Sequence, residues 1–230
     1  MCFSATASFT LSGILVPIGI YAIIKANHQN KSWLPFAVFP LAFGIQQVFE
    51  GFVWLGLQNG DEAMVSIGSR GFLFFSYFFW LTWVAFSVWM IETNFARKRL
   101  MAILTAIGFV YGLSIFLPSF LFSDWLVMEV VNRSLVYRTT LIYDGIIDRT
   151  ALRIFYAAMV LCPLFLSTDR RIQLFGMLVT ASLATTYVFF AYALISVWCF
   201  FAAILSAYLA AVIVLENQKV LENQSRPASG

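Results

Sequence analysis

The chain has 230 residues, of which 61% are hydrophobic and only 11% charged, with a net charge of +3. Soluble domains carry roughly 25% charged and 45–50% apolar residues, so this composition excludes an ordinary soluble fold and points to a lipid bilayer as solvent. The weak positive charge forms no dense basic stripe, which excludes nucleic acid as a partner, and Cys2, Cys162 and Cys199 lack the spacing of a disulfide framework or a zinc module.

A helix crosses the hydrocarbon core with about 20 apolar residues. On that rule the first span is 4–24, uncharged and without a basic n-region, which reads as a retained helix and not a cleaved signal. The second is 33–57, with Glu50 as its one charge. The third is 71–91, and the fourth is 100–122 with Pro118 near its end. The stretch 123–149 is an outer loop, whose β-branched and aromatic centre predicts a short strand or hairpin. The fifth span, 150–167, carries Arg153 in its first turn and Pro163 as a kink. The run from Ile172 to Leu215 is uncharged. As one helix it would measure about 66 Å, roughly twice the hydrocarbon thickness. It must therefore fold back near Tyr192–Ser196 into spans 172–193 and 196–215. The expected fold is all-α, an integral membrane bundle of seven transmembrane helices over 1–218, followed by a disordered cytoplasmic tail at 219–230.

Basic residues in short loops set the orientation. With the N-terminus outside and the C-terminus cytoplasmic, the inner loops hold Lys25 and Lys31, then Arg97, Lys98 and Arg99, then Arg170 and Arg171. Trp33, Trp54, Trp125 and Trp198 fall near the expected interfaces, where indoles are favoured. The expected location is a membrane, with the bilayer itself as the first partner.

Glu50 is the only acidic residue deep inside a span. Such a carboxylate is costly in lipid and faces the bundle interior or a water-filled cavity. Gln46 and Gln47 precede it by four and three residues, and Trp54 follows by four, so all can share one face. Arg153, at similar depth, is the candidate counter-ion. Tyr77 and Tyr187 join the same expected pathway with other hydroxyls near the outer helix ends. Cys2 is a second feature. Removal of Met1 would place a free amine and a thiol on one residue, able to chelate a soft metal, attack an electrophile or accept a lipid.

Other seven-helix chemistries are excluded by what is missing. The last span has no lysine for a retinal Schiff base, and His28 is the only histidine, too few for a membrane metallohydrolase. No metal site is predicted and no cofactor is assigned.

The opening Met1-Cys2-Phe3-Ser4-Ala5-Thr6-Ala7-Ser8-Phe9 and the run Gln46-Gln47-Val48-Phe49-Glu50-Gly51-Phe52-Val53-Trp54-Leu55-Gly56 resemble an uncharacterised family of bacterial multi-pass membrane proteins. The resemblance covers about the first 60 residues and carries no activity. It implies that Cys2, Ser4, Gln46, Gln47, Glu50 and Trp54 belong to a family motif. The first functional expectation is therefore a channel or transporter for protons, cations or a small solute past Glu50. The alternatives are a membrane-embedded enzyme or metal site on Cys2 and Glu50, and a receptor-like or scaffold bundle binding a lipid, a pigment or a partner protein. A homo-oligomer is compatible with any of them.

Overall fold

The computed structural model describes residues 4–225, so the expectations for Cys2 and for the end of the tail lie outside the described residues. The chain is helical apart from one hairpin, in the order α1 (Ala5–Gln29), α2 (Leu34–Asn59), α3 (Glu62–Leu73), a π-helical segment (Phe74–Phe79), α4 (Trp80–Ile91), α5 (Phe95–Leu121), β1 (Leu126–Val131), β2 (Ser134–Thr139), α6 (Arg149–Leu166), α7 (Arg170–Phe190) and α8 (Leu194–Ser225). Among the described residues, six stretches are long and apolar enough to cross a membrane.

Local chemistry fixes most helix starts. Side-chain oxygens accept the orphan N–H groups of the first turn. Ser4 caps α1, Asp61 α3, Asn94 α5, Asp148 α6 and Asp169 α7. α2 instead opens with Pro35 and closes on Gly60, whose φ of 69° is the left-handed conformation that glycine adopts most readily. This cap and the Asp61 N-cap explain a correction. The third helix begins at Glu62, nine residues before the expected Gly71, because its polar first turns are stabilised by capping and not by apolarity. It then runs through the π-helical segment into α4.

α2 is the central helix. Within its most apolar window 67% of residues are buried, against 28% in α1 and α5. It packs on α1, α3 and α8. Close approach of α1 is made possible by Gly51, where a Cβ would stand 2.7 Å from the Phe9 ring.

The last apolar stretch, Arg170–Leu215, is broken by a single 3-10 turn at Ala191–Ala193. α7 and α8 pack antiparallel across it. The Trp198 indole N–H donates to the Val179 carbonyl (3.4 Å) and the Tyr208 hydroxyl to that of Arg171 (3.3 Å), pairing later residues of α8 with earlier ones of α7. The turn thus begins just before the expected Tyr192–Ser196, and Ser196 belongs to the first turn of α8. α8 also continues to Ser225, through residues 219–225 expected in the disordered tail. Leu, Glu, Gln and Lys are good helix formers, and they extend the helix beyond its apolar part.

β1 and β2 pair antiparallel with Val131 opposite Ser134. The two turn residues, Asn132 (φ 47°) and Arg133 (φ 60°), both have positive φ, as a two-residue hairpin turn of matching twist requires. Leu135 is fully buried and Tyr137 stacks on Phe72, so one face of the hairpin rests on the helix ends. Trp33, Trp54 and Trp198 are buried, their rings packed against neighbouring residues.

On the opposite end, the α4–α5 and α6–α7 connections are joined through Glu92. Its carboxylate accepts the Asn94 N–H (2.9 Å), the Thr168 N–H (3.0 Å) and the Thr168 hydroxyl (3.1 Å). Burial pushes this carboxyl up, but those donors outweigh it and hold Glu92 below its ordinary value of 4.5.

Candidate functional site

Four polar residues of α2 lie on its enclosed side at successive turns. Gln46, Gln47 and Glu50 are completely buried and Trp54 nearly so. The 3.6-residue period places Gln46, Glu50 and Trp54 one above another, with Gln47 beside them. At about 1.5 Å per residue, Glu50 sits about 14 Å from the Asn59 end of α2, the end that also carries the hairpin.

Two of these residues are tied to other helices. The Trp80 indole N–H donates to Gln46 Oε1 (2.8 Å), and the Trp80 ring stacks on Phe43 with centroids 3.8 Å apart. The Ser196 hydroxyl donates to Glu50 Oε1 at 2.5 Å, joining α8 to α2. Gln47 and Ser8 of α1 also stand near enough to the carboxyl to act on it, at a looser geometry than the Ser196 bond.

What remains is a concentration of unused polar atoms. Ser8 Oγ, Gln46 Nε2, both amide atoms of Gln47, Glu50 Oε2 and Trp54 Nε1 are buried without a hydrogen-bond partner among the described residues. Each such atom costs about 1–3 kcal/mol if left unsatisfied. Buried polar groups in native proteins are overwhelmingly paired, and among the described residues these six atoms stand out on the enclosed sides of α1 and α2. The set offers donors at Gln46, Gln47 and Trp54, acceptors at Glu50 and Gln47, and a hydroxyl that does either. It suits a hydrated cation, a proton carried by water, or a small solute with both kinds of group.

The expected Glu50–Arg153 ion pair does not form. The ion pairs among the described residues are Arg138–Glu129, Arg149–Asp144 and Arg171–Asp169, all at the periphery. Arg153 instead lines a cavity of about 130 Å3 beside Tyr77, Arg149 and Tyr156. The reason is positional: α6 contacts α4, α5 and α7, while the neighbours that reach Glu50 come from α1 and α8. Tyr77 is buried and its hydroxyl pairs with that of Thr139 at 2.8 Å, tying the π-helical segment to the hairpin. Tyr187 is 60% exposed on α7 and takes no part in the group. Ser4 serves as the α1 N-cap, 3.2 Å from the Ala7 N–H.

Sequence reasoning missed the pairing of Glu50 with Ser196, although both lie in the halves of their helices nearest the hairpin. It also missed Tyr156, whose hydroxyl donates to the Ser76 carbonyl inside the π-helical segment. That carbonyl lies where the helical ladder widens, a local feature common at functional sites. A lone Ser76 carries no sequence signal of this kind.

The apolar helices of the bundle suit a membrane protein. The chain belongs to a family of unknown function, DUF6629, whose match spans residues 1–224. No curated protein and no solved structure matches it.

Proposed function

We propose that this protein is a channel or transporter in which Glu50 forms the intramembrane site for a proton, a cation or a small polar solute. The observation that carries this reading is the set of six polar atoms without a partner among the described residues, one of them Oε2 of the buried Glu50 and the others on Ser8, Gln46, Gln47 and Trp54. An ionisable residue within a span is a functional site by default, since a merely structural one would be expected to have its polar atoms paired. Access is from the hairpin end. Ser196, bonded to Glu50, lines a cleft of about 740 Å3 between the hairpin and the α7–α8 turn.

In this reading α7 and α8 each cross the bilayer, which gives seven spans. The N-terminus lies outside and the C-terminus in the cytoplasm, and the membrane is a bacterial inner membrane. The positive-inside distribution supports this, because Arg97, Lys98, Arg99, Arg170 and Arg171 all sit at the end of the bundle opposite the hairpin.

The test is flux. The purified protein in liposomes is followed by internal pH and by cation-sensitive dyes, alongside Glu50→Gln. Glutamine keeps the side-chain shape and can accept from Ser196, but cannot take up a proton or hold a cation by charge. Flux that is present in the native chain and lost in the folded variant is the expected result. Equal flux from both, or none from either, refutes it.

A further inference from the structure

Three hollows meet in series beneath the hairpin. The outermost is the cleft of about 740 Å3. It shares Arg149 and Arg153 with the cavity of about 130 Å3. That cavity in turn shares Tyr156, Trp198 and Cys199 with a deeper chamber of about 40 Å3. Polarity falls along the series. The cleft is lined by charged and hydroxyl groups, and the cavity has two guanidinium groups at one end and Leu183 and Trp198 elsewhere. The chamber is walled by Phe43, Phe175, Val179 and Ala202. Its few polar atoms are already engaged, since the Tyr156 hydroxyl donates to Ser76 and the Trp198 N–H to Val179.

The charges are distributed unevenly. Glu129 is taken up by Arg138, and Asp144 by Arg149. Asp124 lines the cleft but not the inner cavity. Arg153 has neither an ion pair nor a hydrogen bond among the described residues. Arg149 and Arg153 are four residues apart on α6 and so share one face. An unmatched cation at the mouth of a hollow that ends in aromatic and aliphatic walls has the shape of one ligand class.

We infer that this series of hollows binds an anionic amphiphile, with its acidic headgroup at Arg153 and Arg149 and its hydrocarbon tail running through the cavity into the chamber. Guanidinium groups take carboxylates and phosphates alike, often through two parallel hydrogen bonds. At about 10–15 Å3 for each atom-sized occupant, cavity and chamber together hold roughly a dozen heavy atoms. That matches a medium-chain tail and is too small for both chains of a phospholipid. The hollows share the Ser196 cleft with the Glu50 group and border it at Trp80 and Cys199, but the binding proposed does not rest on conduction.

The experiment uses the full chain in nanodiscs of zwitterionic lipid and ω-bromolaurate as the probe. Bromine quenches nearby tryptophan fluorescence, and Trp80 and Trp198 line the chamber. Quenching should saturate and should be reversed by laurate or dodecyl phosphate but not by dodecanol, which has the tail without the charge. Stronger competition by dodecyl phosphate assigns a phosphate headgroup such as that of a lysolipid, and stronger competition by laurate assigns a free fatty acid. Arg153→Gln should weaken the acids about tenfold, equivalent to about 1.4 kcal/mol, and Arg153→Lys should recover part of that. Ala202→Phe, which fills the chamber, should remove saturable quenching. If that variant does not fold, the Arg153 variants and the dodecanol comparison decide. Non-saturable quenching, displacement by dodecanol as good as by laurate, or unchanged affinity in folded Arg153→Gln overturns the inference.

Discussion

The bond between Ser196 and Glu50 offers a direct test of how the buried carboxyl is held. Ser196→Ala removes the hydroxyl that donates to Glu50 Oε1 at 2.5 Å, while Oε2 has no partner among the described residues. A net hydrogen bond between neutral groups is worth about 0.5–1.5 kcal/mol and one to a charged group about 1.5–3 kcal/mol. Ser196 makes other contacts as well, so the single substitution overstates the bond. A double-mutant cycle with Glu50→Leu, which removes the acceptor that glutamine would keep, isolates it. The assay is thermal unfolding in detergent, followed by tryptophan fluorescence and repeated at several pH values. Ser196→Ala alone should destabilise by at least about 1 kcal/mol, and the two substitutions together should cost less than the sum of each. A coupling above about 1.5 kcal/mol at neutral pH marks an ionised Glu50, and a smaller one a protonated carboxyl. Additivity within about 0.3–0.5 kcal/mol, the range seen for independent sites, would refute the geometry of the site.

Glu92 supplies a pH dependence with a definite sign. Its folded value lies below 4.5 because backbone and hydroxyl donors outweigh burial. The stability it contributes is therefore present above pH 4.5 and is lost as pH falls through the lower folded value. The melting temperature of the native chain should drop over that acid range, and Glu92→Gln should be less stable at neutral pH with a flatter acid limb. Parallel pH profiles would show that Glu92 does not join the two connections. Orientation is tested by single cysteines in a background lacking Cys2, Cys162 and Cys199. A membrane-impermeant maleimide on intact cells should label Asn132→Cys in the hairpin turn and leave Thr93→Cys, in the α4–α5 connection, unlabelled until the cells are opened. The reverse pattern would invert the topology.

The all-helical character of the chain is legible from composition, and the fold-back of the last apolar run from simple length, because a helix twice as long as the bilayer is thick has nowhere to go. The hairpin is legible from its β-branched run. The start of the third helix is not, since hydropathy registers where lipid begins and Asp61 caps a helix that starts before it.

The candidate site divides along the same line. Gln46, Gln47, Glu50 and Trp54 could be grouped from sequence because one helix brings them together, and the period of a helix is known in advance. Their partners come from other helices, and spacing along one chain segment says nothing about which neighbour faces which. Depth alone suggested Arg153 for Glu50, as charge attracts charge at equal height. Packing decides otherwise. α2 meets α1 and α8 near Glu50, so the carboxyl faces the hydroxyls of Ser8 and Ser196, and Arg153 turns to a cavity of its own. A buried carboxyl that meets hydroxyls and amides has no guanidinium partner among the described residues. If it holds its proton permanently it is a clasp, and if it exchanges that proton or a cation it is a site. Flux that survives or is lost in Glu50→Gln separates the two.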